Sequence, residues 1–538
     1  MKISAVKNQM AEWSFSSGRS YPDPFNDVEL DVIVTGPGGK TWRVPAFWAG
    51  GDEWRVRFSA PATGKYSYRT ACSDPSDPGL NDQEGSIRAR AYRGKNPLLR
   101  HGPLSVMEDR RHLQHADGTP FFWLGDTWWM GLCSRLGWPE DFRLLTADRA
   151  RKGFTVVQII AGLYPDMHPF DERGANEAGF PWERDYARIN PAYFDMADLR
   201  IGWLVRSGIL PCIVGCWGYF LPWMGVERMK KHWRYLVARW GAYTVVWCLA
   251  GEATMPFYLS ENREEEKTMQ RRGWTEVARY VRNIDPYHHP VTIHPTSVGR
   301  DQVEDPSLLD IDMLQTGHDD RNSAVNHVRV VNESLGREPR MPVLVGEVVY
   351  EGIFEACRQE VQRYVFWSAM LSGTAGHTYG ANGLWQVNGT DEPYGPSPPG
   401  YSFGKVTWEQ AYQLPGSSDL GQGKRILEQY RWWEFRPLLD LLDAPWRENY
   451  EIKPFIAGIP GEVIVVYNPH VWPRDSLRVK IGPGRWRAAY IDPKDGERYP
   501  LGEAVADPEG MWEAPLSPIF QDWVLVIAAR KGGKVRHQ

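Results

Sequence analysis

Two apolar segments of the chain each lead into a glycine followed by a glutamate. Residues 244–252 (TVVWCLAGE) end at Glu252, and residues 342–351 (PVLVGEVVYE) carry Glu347 directly after their apolar run. A short, near-continuous apolar run is typical of a strand that is buried on both faces, as in a parallel sheet covered by helices. In α/β barrels the carboxyl ends of such strands carry the chemistry. The two glutamates are therefore predicted to lie at the same end of one barrel.

The region around these segments, from about residue 100 to 440, alternates strand-like and helix-like patterns. The predicted strands are residues 120–129, 155–162, 209–217, 244–252, 290–295, 311–318, 342–351 and 373–379. The predicted helices include residues 192–207, 225–239, 271–283, 354–371 and 426–439. Eight such units favour a (β/α)8 barrel with enlarged loops, among them the irregular segment 388–418. A doubly wound open sheet is the alternative, but it prefers a glycine-rich turn after its first strand, and residues 124–129 (LGDTWW) are not one.

All-β patterns flank this region on both sides. Short alternating runs at 28–34 and 54–58, divided by Gly/Pro turns, predict an immunoglobulin-like β-sandwich. In the C-terminal region the predicted strands are 463–467, 486–491 and 522–527. The polar tail 531–538 is expected to fray. The predicted architecture is multidomain: an N-terminal β-sandwich at 1–95, a central TIM barrel at 96–442 and a C-terminal β-sandwich at 443–530.

The composition excludes several classes of protein. The formal net charge is −5 and no basic block stands out, so nucleic acid is not an expected partner. No run of 18 or more apolar residues and no apolar leader occur, so we expect neither membrane insertion nor export, and a cytoplasmic location. The six cysteines include one close pair, Cys212 and Cys216, without a second pair at metal-ligand spacing. They are interpreted as reduced core thiols, and neither a metal nor a cofactor is expected.

Polar and aromatic side chains collect at the predicted carboxyl ends of the barrel strands. A polar group inside an apolar run is costly unless it is satisfied, so many of them at one end of a barrel indicate a site. Taken singly each has a structural explanation, since a lone buried histidine is more often a hydrogen-bonded core residue. Besides the two glutamates, the predicted ligand-contacting residues are Asp126, Trp128, Gln158, His168, Trp217, His294, Gln315, His318, Tyr350, Glu351 and His377.

Glycoside hydrolysis is the chemistry that this set fits best. It requires one carboxyl group to protonate the leaving oxygen and a second to attack or to activate water, while aromatic rings and amides suit a neutral polyhydroxylated ligand. Glu347 is preferred to Glu351 because it directly ends the apolar run, as Glu252 does. A metal-dependent barrel hydrolase is one alternative, although such sites generally carry a His-x-His on the first strand. A non-catalytic carbohydrate-binding barrel is the other, although decay would normally remove one of the two carboxylates.

Over nearly its whole length the chain resembles the apiosidase-like glycoside hydrolases, whose (β/α)8 barrel is related to clan A. The segments that carry the resemblance are 122–128 (FWLGDTW), 151–158 (RKGFTVVQ), 246–252 (VWCLAGE), 315–318 (QTGH) and 342–347 (PVLVGE). The first 95 residues are similar to the β-sandwich that often precedes this barrel. The C-terminal region resembles a β-sandwich often labelled a collagen-binding domain, and we predict no collagen binding here.

The resemblance implies an acid/base at Glu252 on the fourth strand and a nucleophile at Glu347 on the seventh. Clan A enzymes usually have an asparagine before the strand-four acid, where this chain has Gly251, and many apiosidase-like relatives have an aspartate in place of Glu252. The expected function is removal of a terminal sugar from an oligosaccharide or glycoside, with a retaining mechanism favoured. The expected partner is a carbohydrate substrate. Whether the chain forms a homo-oligomer is left open, because the flanking sandwiches could pack on the barrel or on a neighbouring subunit.

Overall fold

The computed structural model describes residues 1–443, 453–469 and 477–529. The polar tail 531–538, which is expected to fray, lies outside the described residues. Within them the chain forms a mainly antiparallel N-terminal part, a central parallel barrel and an antiparallel C-terminal part. This order confirms the predicted multidomain fold class.

In the described part of the chain, eight parallel strands build the barrel, labelled here β1 to β8. They are Trp123–Trp128 (β1), Val156–Ile160 (β2), Leu210–Val214 (β3), Val246–Cys248 (β4), Val291–Thr292 (β5), Asp312–Gln315 (β6), Val343–Glu347 (β7) and Gly376–Tyr379 (β8). Consecutive strands from β1 to β5 and from β6 to β8 pair in parallel, and β1 also pairs with β8. The seam between β5 and β6 is bridged by the Asp310 N–H, which donates to the Val291 carbonyl at 2.8 Å, and by the Thr292 hydroxyl, which donates to the Ile311 carbonyl at 2.9 Å. The strand order is therefore that of a barrel and not of a doubly wound open sheet.

The barrel strands are buried along their whole length, which explains why their sequences are near-continuous apolar runs. Glu347 is the last residue of β7, which ends four residues before the predicted strand end at residue 351. Glu252 lies four residues beyond the end of β4, in an irregular stretch that a single bridge between Gly251 and Trp217 keeps beside β3. Both glutamates consequently lie at the carboxyl end of the barrel.

Helices cover the outside of the barrel. The seven longer ones are Glu140–Lys152 (α1), Pro191–Arg206 (α2), Val226–Trp240 (α3), Arg263–Ile284 (α4), Asn322–Leu335 (α5), Gln359–Ser372 (α6) and Pro415–Leu427 (α7) among the described residues. The shorter helical turns Pro97–His101, Phe220–Met224 and Trp408–Ala411 lie in the connections.

The predicted closing helix at 426–439 is wrong, because the observed α7 ends at Leu427. Pro415 starts this helix at a position where its missing N–H costs nothing. Gly421 and Gly423, which make this stretch look like a loop, instead allow close packing. A Cβ at Gly421 would lie 2.0 Å from the Lys152 carbonyl oxygen of α1, and one at Gly423 would lie 2.5 Å from the Phe366 ring of α6. Glycine therefore fits this helix because its neighbours leave no room for a side chain.

Mainly antiparallel sheets form the N-terminal part of the molecule, with one parallel pair between Lys2–Val6 and Glu84–Arg90. One sheet contains Lys2–Val6, Leu30–Thr35, Thr41–Pro45, Gly64–Cys72 and Glu84–Arg90. The sheet that faces it contains Met10–Ser16, Phe47–Gly50 and Glu53–Ser59. A small sheet of Leu104–Val106, Leu113–His115 and Pro120–Phe121 leads into the barrel. Trp13, Val56 and Phe58 are among the residues buried in this part.

The C-terminal part has two antiparallel sheets around a core of its own. Its larger sheet contains Arg436–Pro437, Phe455–Ile459, Val463–Asn468, Trp486–Ile491, Arg498–Ala504 and Trp523–Ala529. Its smaller sheet contains Leu442–Asp443, Arg478–Lys480 and Met511–Glu513. The three C-terminal strands predicted from the sequence all lie within the larger sheet.

Candidate active site

A cavity of about 240 Å³ opens at the carboxyl end of the barrel. Its polar lining includes Asp166, Glu252, Tyr258, His318 and Glu347. The two glutamates that end the apolar runs of the sequence thus share one cavity. Asp166 follows β2, Glu252 and Tyr258 follow β4, His318 follows β6 and Glu347 ends β7. Four strand ends thus supply these five side chains, which is the usual way in which a barrel assembles a site.

His294 connects the two glutamates. Its Nδ1 accepts a hydrogen bond from the backbone N–H of Glu252 at 3.3 Å, and its Nε2 lies 2.7 Å from Oε2 of Glu347. Because a backbone N–H only donates, Nδ1 must be the unprotonated nitrogen, and the ring proton lies on Nε2 facing the carboxylate. The histidine side chain is completely buried, so its two partners fix its orientation.

Gln315 and His318 form a second connection between the same two carboxyl groups. The amide Nε2 of Gln315 donates to Oε1 of Glu252 at 3.0 Å and lies 2.8 Å from Nε2 of His318. That imidazole nitrogen is in turn 3.1 Å from Oε1 of Glu347. Each oxygen of Glu347 therefore has one histidine beside it, whereas Glu252 contacts an amide and no cation.

These contacts separate the proton affinities of the two glutamates. Burial disfavours the charged form of Glu347, but its contacts with His294 and His318 outweigh burial and hold its pKa well below the ordinary value. Burial and the charge of Glu347 raise the pKa of Glu252, and the hydrogen bond from Gln315 only partly offsets this. Burial lowers the pKa of His318, but the hydrogen bond and the charge of Glu347 raise it by more. Glu347 is consequently the stronger acid of the two, and Glu252 keeps its proton to higher pH than Glu347 does.

Glycine at position 251 is explained by the aromatic wall of the cavity. A Cβ at Gly251 would lie 2.1 Å from two ring atoms of Trp217, so no larger residue fits there without moving the indole. Trp217 lines the cavity, and its Nε1 is buried without a partner among the described residues. The resemblance leads one to expect an asparagine at position 251. In this chain the ring of Trp217 occupies the space that the asparagine side chain would need.

Stacked rings form the rest of the inner wall. Tyr350 stacks on His318 with 5.4 Å between ring centroids, and on its other side Trp385 lies 6.1 Å away at an angle of 18°. The Tyr350 hydroxyl accepts a hydrogen bond from Trp129 Nε1 at 2.7 Å. Such flat apolar faces beside hydrogen-bonding groups match the mixed character of a sugar ring.

A third carboxyl group, Asp166, faces the same cavity. Its Oδ1 accepts a hydrogen bond from the Tyr258 hydroxyl at 2.6 Å. Burial, opposed by that bond and reinforced by the charge of Glu252, raises the pKa of Asp166 to about 7. Its backbone adopts a left-handed conformation with φ of 55°, which is uncommon for a residue other than glycine. Asp166 and Trp129 stand near predicted strand ends, yet neither is among the predicted ligand contacts.

Other lining residues carried no usable signal in the sequence. Tyr258, Tyr401 and Phe403 lie in loops far from any apolar run, and only the length of segment 388–418 hinted that the last two lie in a functional loop.

The structure places Asp126 and Trp128 outside the cavity. Alternate residues of a strand share a face, and on β1 this face contacts helix α1 instead of the barrel interior. Asp126 pairs with Nε of Arg149 at 2.6 Å and accepts a hydrogen bond from Trp128 Nε1 at 2.8 Å. Trp128 packs edge-on against Phe142. The buried ion pair attaches α1 to β1. The positions of Asp126 and Trp128 therefore do not support the predicted ligand contacts.

Gln158 lies within the barrel beneath the cavity. Its Nε2 donates to the Gly346 carbonyl at 2.6 Å, across the barrel from β2 to β7. It therefore contacts the backbone next to Glu347 and does not line the cavity.

Three further predicted residues also lie elsewhere. His377 is completely buried between the barrel and its helices, against Phe366. His168 is exposed and packs edge-on against Phe257. Glu351 accepts hydrogen bonds from the Tyr379 hydroxyl at 2.6 Å and from the Gly416 N–H at 3.0 Å. Glu351 follows Glu347 by four residues, and by then the chain has turned away from the cavity.

Two structural features bear on the classes of protein considered above. In the part of the chain that the structure describes, no group of three or more His, Cys, Asp or Glu side chains is arranged to hold a metal ion. Across residues 1–443, 453–469 and 477–529, no helix is both long and apolar enough to span a membrane.

Comparison with known proteins relates this geometry to a family. The sequence model described as "Apiosidase-like, catalytic domain" matches residues 107–434, which is more than half of the chain. A domain family of unknown function, DUF5060, matches residues 6–73. No curated protein sequence matches the chain.

Solved structures share the fold at low sequence identity. A protein described as a glycoside hydrolase is 22% identical with a TM-score of 0.69, covering 82% of this chain and 100% of its own. A glycoside hydrolase family 5 protein from Bacteroides vulgatus is 22% identical with a TM-score of 0.67, covering 81% of this chain and 96% of its own. A further protein from that bacterium is 18% identical with a TM-score of 0.72, covering 98% of this chain and 100% of its own.

Proposed function

The chain belongs to the apiosidase-like family of glycoside hydrolases, and we propose that it removes a terminal sugar from an oligosaccharide or glycoside by a retaining mechanism. In this proposal Glu252 is the acid/base and Glu347 the nucleophile. The observation that carries it is the pair of opposite pKa shifts in one cavity. The pKa of Glu252 is raised by burial and by the neighbouring charge, and that of Glu347 is lowered by two imidazoles despite burial.

The first step follows from these protonation states. The ionised Glu347 attacks the anomeric carbon while the bond from that carbon to the leaving oxygen breaks. Glu252 gives its proton to that oxygen, so the leaving group departs as a neutral alcohol. In the second step the ionised Glu252 takes a proton from water, whose oxygen attacks the anomeric carbon and releases Glu347. Two displacements at the same carbon give overall retention.

Gln315 suits both protonation states of Glu252. As positioned, its amide donates to the ionised carboxylate at 3.0 Å. Turning the amide over would place its oxygen where it accepts hydrogen bonds from the O–H of the neutral carboxyl group and from the N–H of His318. Gln315 can therefore form a hydrogen bond with Glu252 both when Glu252 is protonated and when it is ionised, which supports an acid/base role for Glu252.

The surrounding groups would hold the sugar. Trp217 and Tyr350 offer flat faces, and the unpartnered Nε1 of Trp217 is a free donor for a hydroxyl group. His318 is 35% exposed, which leaves it accessible to a ligand. The compact cavity favours binding of the sugar at a chain end over binding of an internal sugar. In the proposed division into domains at 1–95, 96–442 and 443–530, the barrel is the catalytic domain because it contains this cavity.

Hydrolysis of a panel of chromogenic aryl glycosides tests this proposal. Glu252→Gln and Glu347→Gln should each reduce kcat by 10²- to 10⁴-fold on the sugar that the wild type cleaves. The loss for Glu252→Gln should shrink with dinitrophenyl leaving groups, which depart without a proton. Glu351→Gln is the matched control, because its carboxyl group lies outside the cavity.

Other outcomes identify the alternatives. Activity that survives in Glu347→Gln but is lost in Glu351→Gln would transfer the nucleophile to Glu351. A sugar that raises Tm without being cleaved would favour a binding barrel, and loss of activity with a chelator, restored by a divalent metal, would favour a metal-dependent hydrolase.

A further inference from the structure

The outer part of the cavity differs in character from the part that holds the carboxyl groups. Its lining includes Met255, Ile353, Phe354, Tyr401 and Phe403, with few groups that form hydrogen bonds. Phe354 is 60% exposed and Tyr401 is 67% exposed, although large apolar side chains are normally covered. Two exposed rings at the mouth of one cavity form a small apolar surface beside the proposed point of bond cleavage.

The loop after β7 is held in an unusual conformation that presents Phe354. Gly352, Phe354, Glu355 and Cys357 all have positive φ, of 80°, 50°, 60° and 35°. Three of these are not glycine, and such backbone strain persists only where surrounding contacts impose it. The Gly352 N–H donates to the Cys357 carbonyl at 2.9 Å and closes the loop. Phe354 is therefore fixed at the mouth by the fold.

Tyr401 comes from the loop after β8. The Tyr401 N–H donates to the Ser397 hydroxyl at 3.1 Å, and the Ser397 N–H donates to the Tyr401 carbonyl at 2.9 Å. The ring of Phe403 packs edge-on against Trp385 at 5.2 Å, and Trp385 stacks on Tyr350. An aromatic strip therefore runs from the wall beside Glu347 to the cavity mouth.

The charges of the cavity limit what this surface can bind. Asp166, Glu252 and Glu347 are all acidic, and among the described residues no lysine or arginine lines the cavity. An acidic sugar on the leaving side would meet these carboxylates without a cation to compensate for their charge. A second neutral sugar would find few partners for its hydroxyl groups, since Met255, Ile353, Phe354 and Phe403 offer none and only the hydroxyl groups of Ser397 and Tyr401 are polar there.

We infer that Phe354 and Tyr401 form a binding site for an apolar, aromatic aglycone, so that the substrate is an aryl glycoside and not an oligosaccharide. This inference rests on the proposed function, because the aglycone is the group released when Glu252 protonates the glycosidic oxygen. Aromatic stacking contributes enough for a three- to tenfold change in affinity per ring.

Competitive inhibition by uncleavable thioglycosides tests the inference without the bias of leaving-group reactivity. The sugar is the one whose 4-nitrophenyl glycoside the wild type cleaves, and the probes are its methyl, naphthyl and glucosyl thioglycosides. The naphthyl compound should bind the wild type most tightly. Phe354→Ala and Tyr401→Ala should each weaken its binding three- to tenfold and leave the methyl compound unchanged.

Phe520→Ala is the matched control, since Phe520 is 77% exposed and lies outside the cavity lining. The inference is overturned if the glucosyl compound binds the wild type as tightly as the naphthyl compound. It is also overturned if Phe354→Ala and Tyr401→Ala shift all three probes equally or leave them all unchanged. A wild type that cleaves no member of the aryl glycoside panel contradicts instead the proposed function on which the inference rests.

Discussion

His294 orders the protonation of the site because its two ring nitrogens face different glutamates. Nδ1 is occupied by the backbone N–H of Glu252, so Nε2–H points to Oε2 of Glu347 at 2.7 Å. A ring N–H beside a buried carboxylate stabilises the charged form of that carboxylate. His318 acts on the other oxygen of Glu347. Removal of either histidine should therefore change the titration of Glu347.

We predict that His294→Ala moves the acidic limb of the pH–activity profile to higher pH. Without the imidazole, burial raises the pKa of Glu347 and His318 alone opposes it, so the carboxylate is protonated earlier as pH falls. A displacement of about one pH unit or more corresponds to roughly 1.4 kcal/mol of lost interaction. The measurement is kcat/KM against pH. The control is His101→Ala, which removes a histidine from a surface pair with Asp117. An unchanged acidic limb in His294→Ala would contradict this explanation.

At this scale the sequence predicted that polar residues would gather at strand ends, but not which way each would point. Asp126 and Glu347 look alike in the sequence, since each stands at the end of an apolar run after a glycine. Their positions differ because Asp126 forms an ion pair with Arg149, which is 23 residues away and completely buried. Whether a strand residue faces the helices or the cavity depends on its phase along the strand and on such distant partners.

Among the elements, the loop after β7 and helix α7 are connected by Glu351. Its carboxyl group accepts hydrogen bonds from Gly416 in the first turn of the helix and from the Tyr379 hydroxyl of β8. Burial raises the pKa of Glu351 to about 7, although both hydrogen bonds oppose this. The proton is therefore held more tightly in the folded protein than in the unfolded chain.

This difference predicts a pH-dependent stability that Glu351→Gln removes. Where the folded state binds the extra proton, the free energy of unfolding falls as pH rises, here from about pH 4.5 to about 7. The contribution is of the order of 3 kcal/mol. Urea unfolding at pH 5 and pH 7.5 measures it, with the exposed neighbour variant Glu355→Gln as the control. If the free energy of unfolding fell by the same amount from pH 5 to pH 7.5 in Glu351→Gln as in the wild type, Glu351 would not be the source of the pH dependence.

Strands and helices were predicted correctly only where their own sequence pattern reflects the contacts that they make. The barrel strands were recognisable because burial on both faces makes them near-continuously apolar. Helix α7 was misplaced because its glycines serve contacts with α1 and α6, which a sequence pattern does not reveal.

In the whole molecule, buried ion pairs attach both flanking parts to the barrel. On the N-terminal side Arg57 pairs with Asp198 of α2 at 2.5 Å, and both side chains are largely buried. On the C-terminal side Arg363 of α6 pairs with Asp522 at 2.7 Å and with Asp419 of α7 at 2.6 Å. The order of the three parts was predictable from their strand and helix patterns, whereas these contacts join residues more than 50 positions apart.

Arg363→Ala should destabilise the whole protein strongly. Removing the guanidinium leaves two buried carboxylates without their partner, and the expected cost is about 3–5 kcal/mol. Arg337→Ala is the control, because it breaks an exposed pair with Asp301 that is worth about 1 kcal/mol or less. Thermal unfolding measures both variants. A Tm for Arg363→Ala no lower than that of the control would show that the C-terminal part contributes little to barrel stability.

The most direct test of the two-glutamate mechanism is the configuration of the product that azide forms with Glu347→Gly. If Glu347 is the nucleophile, the variant is inactive alone, and azide enters the vacated space to attack the anomeric carbon of an activated aryl glycoside. The predicted product, identified by NMR, is the glycosyl azide of inverted configuration, because only one displacement occurs. No rescue of Glu347→Gly, together with an inverted azide from Glu351→Gly, would contradict the account.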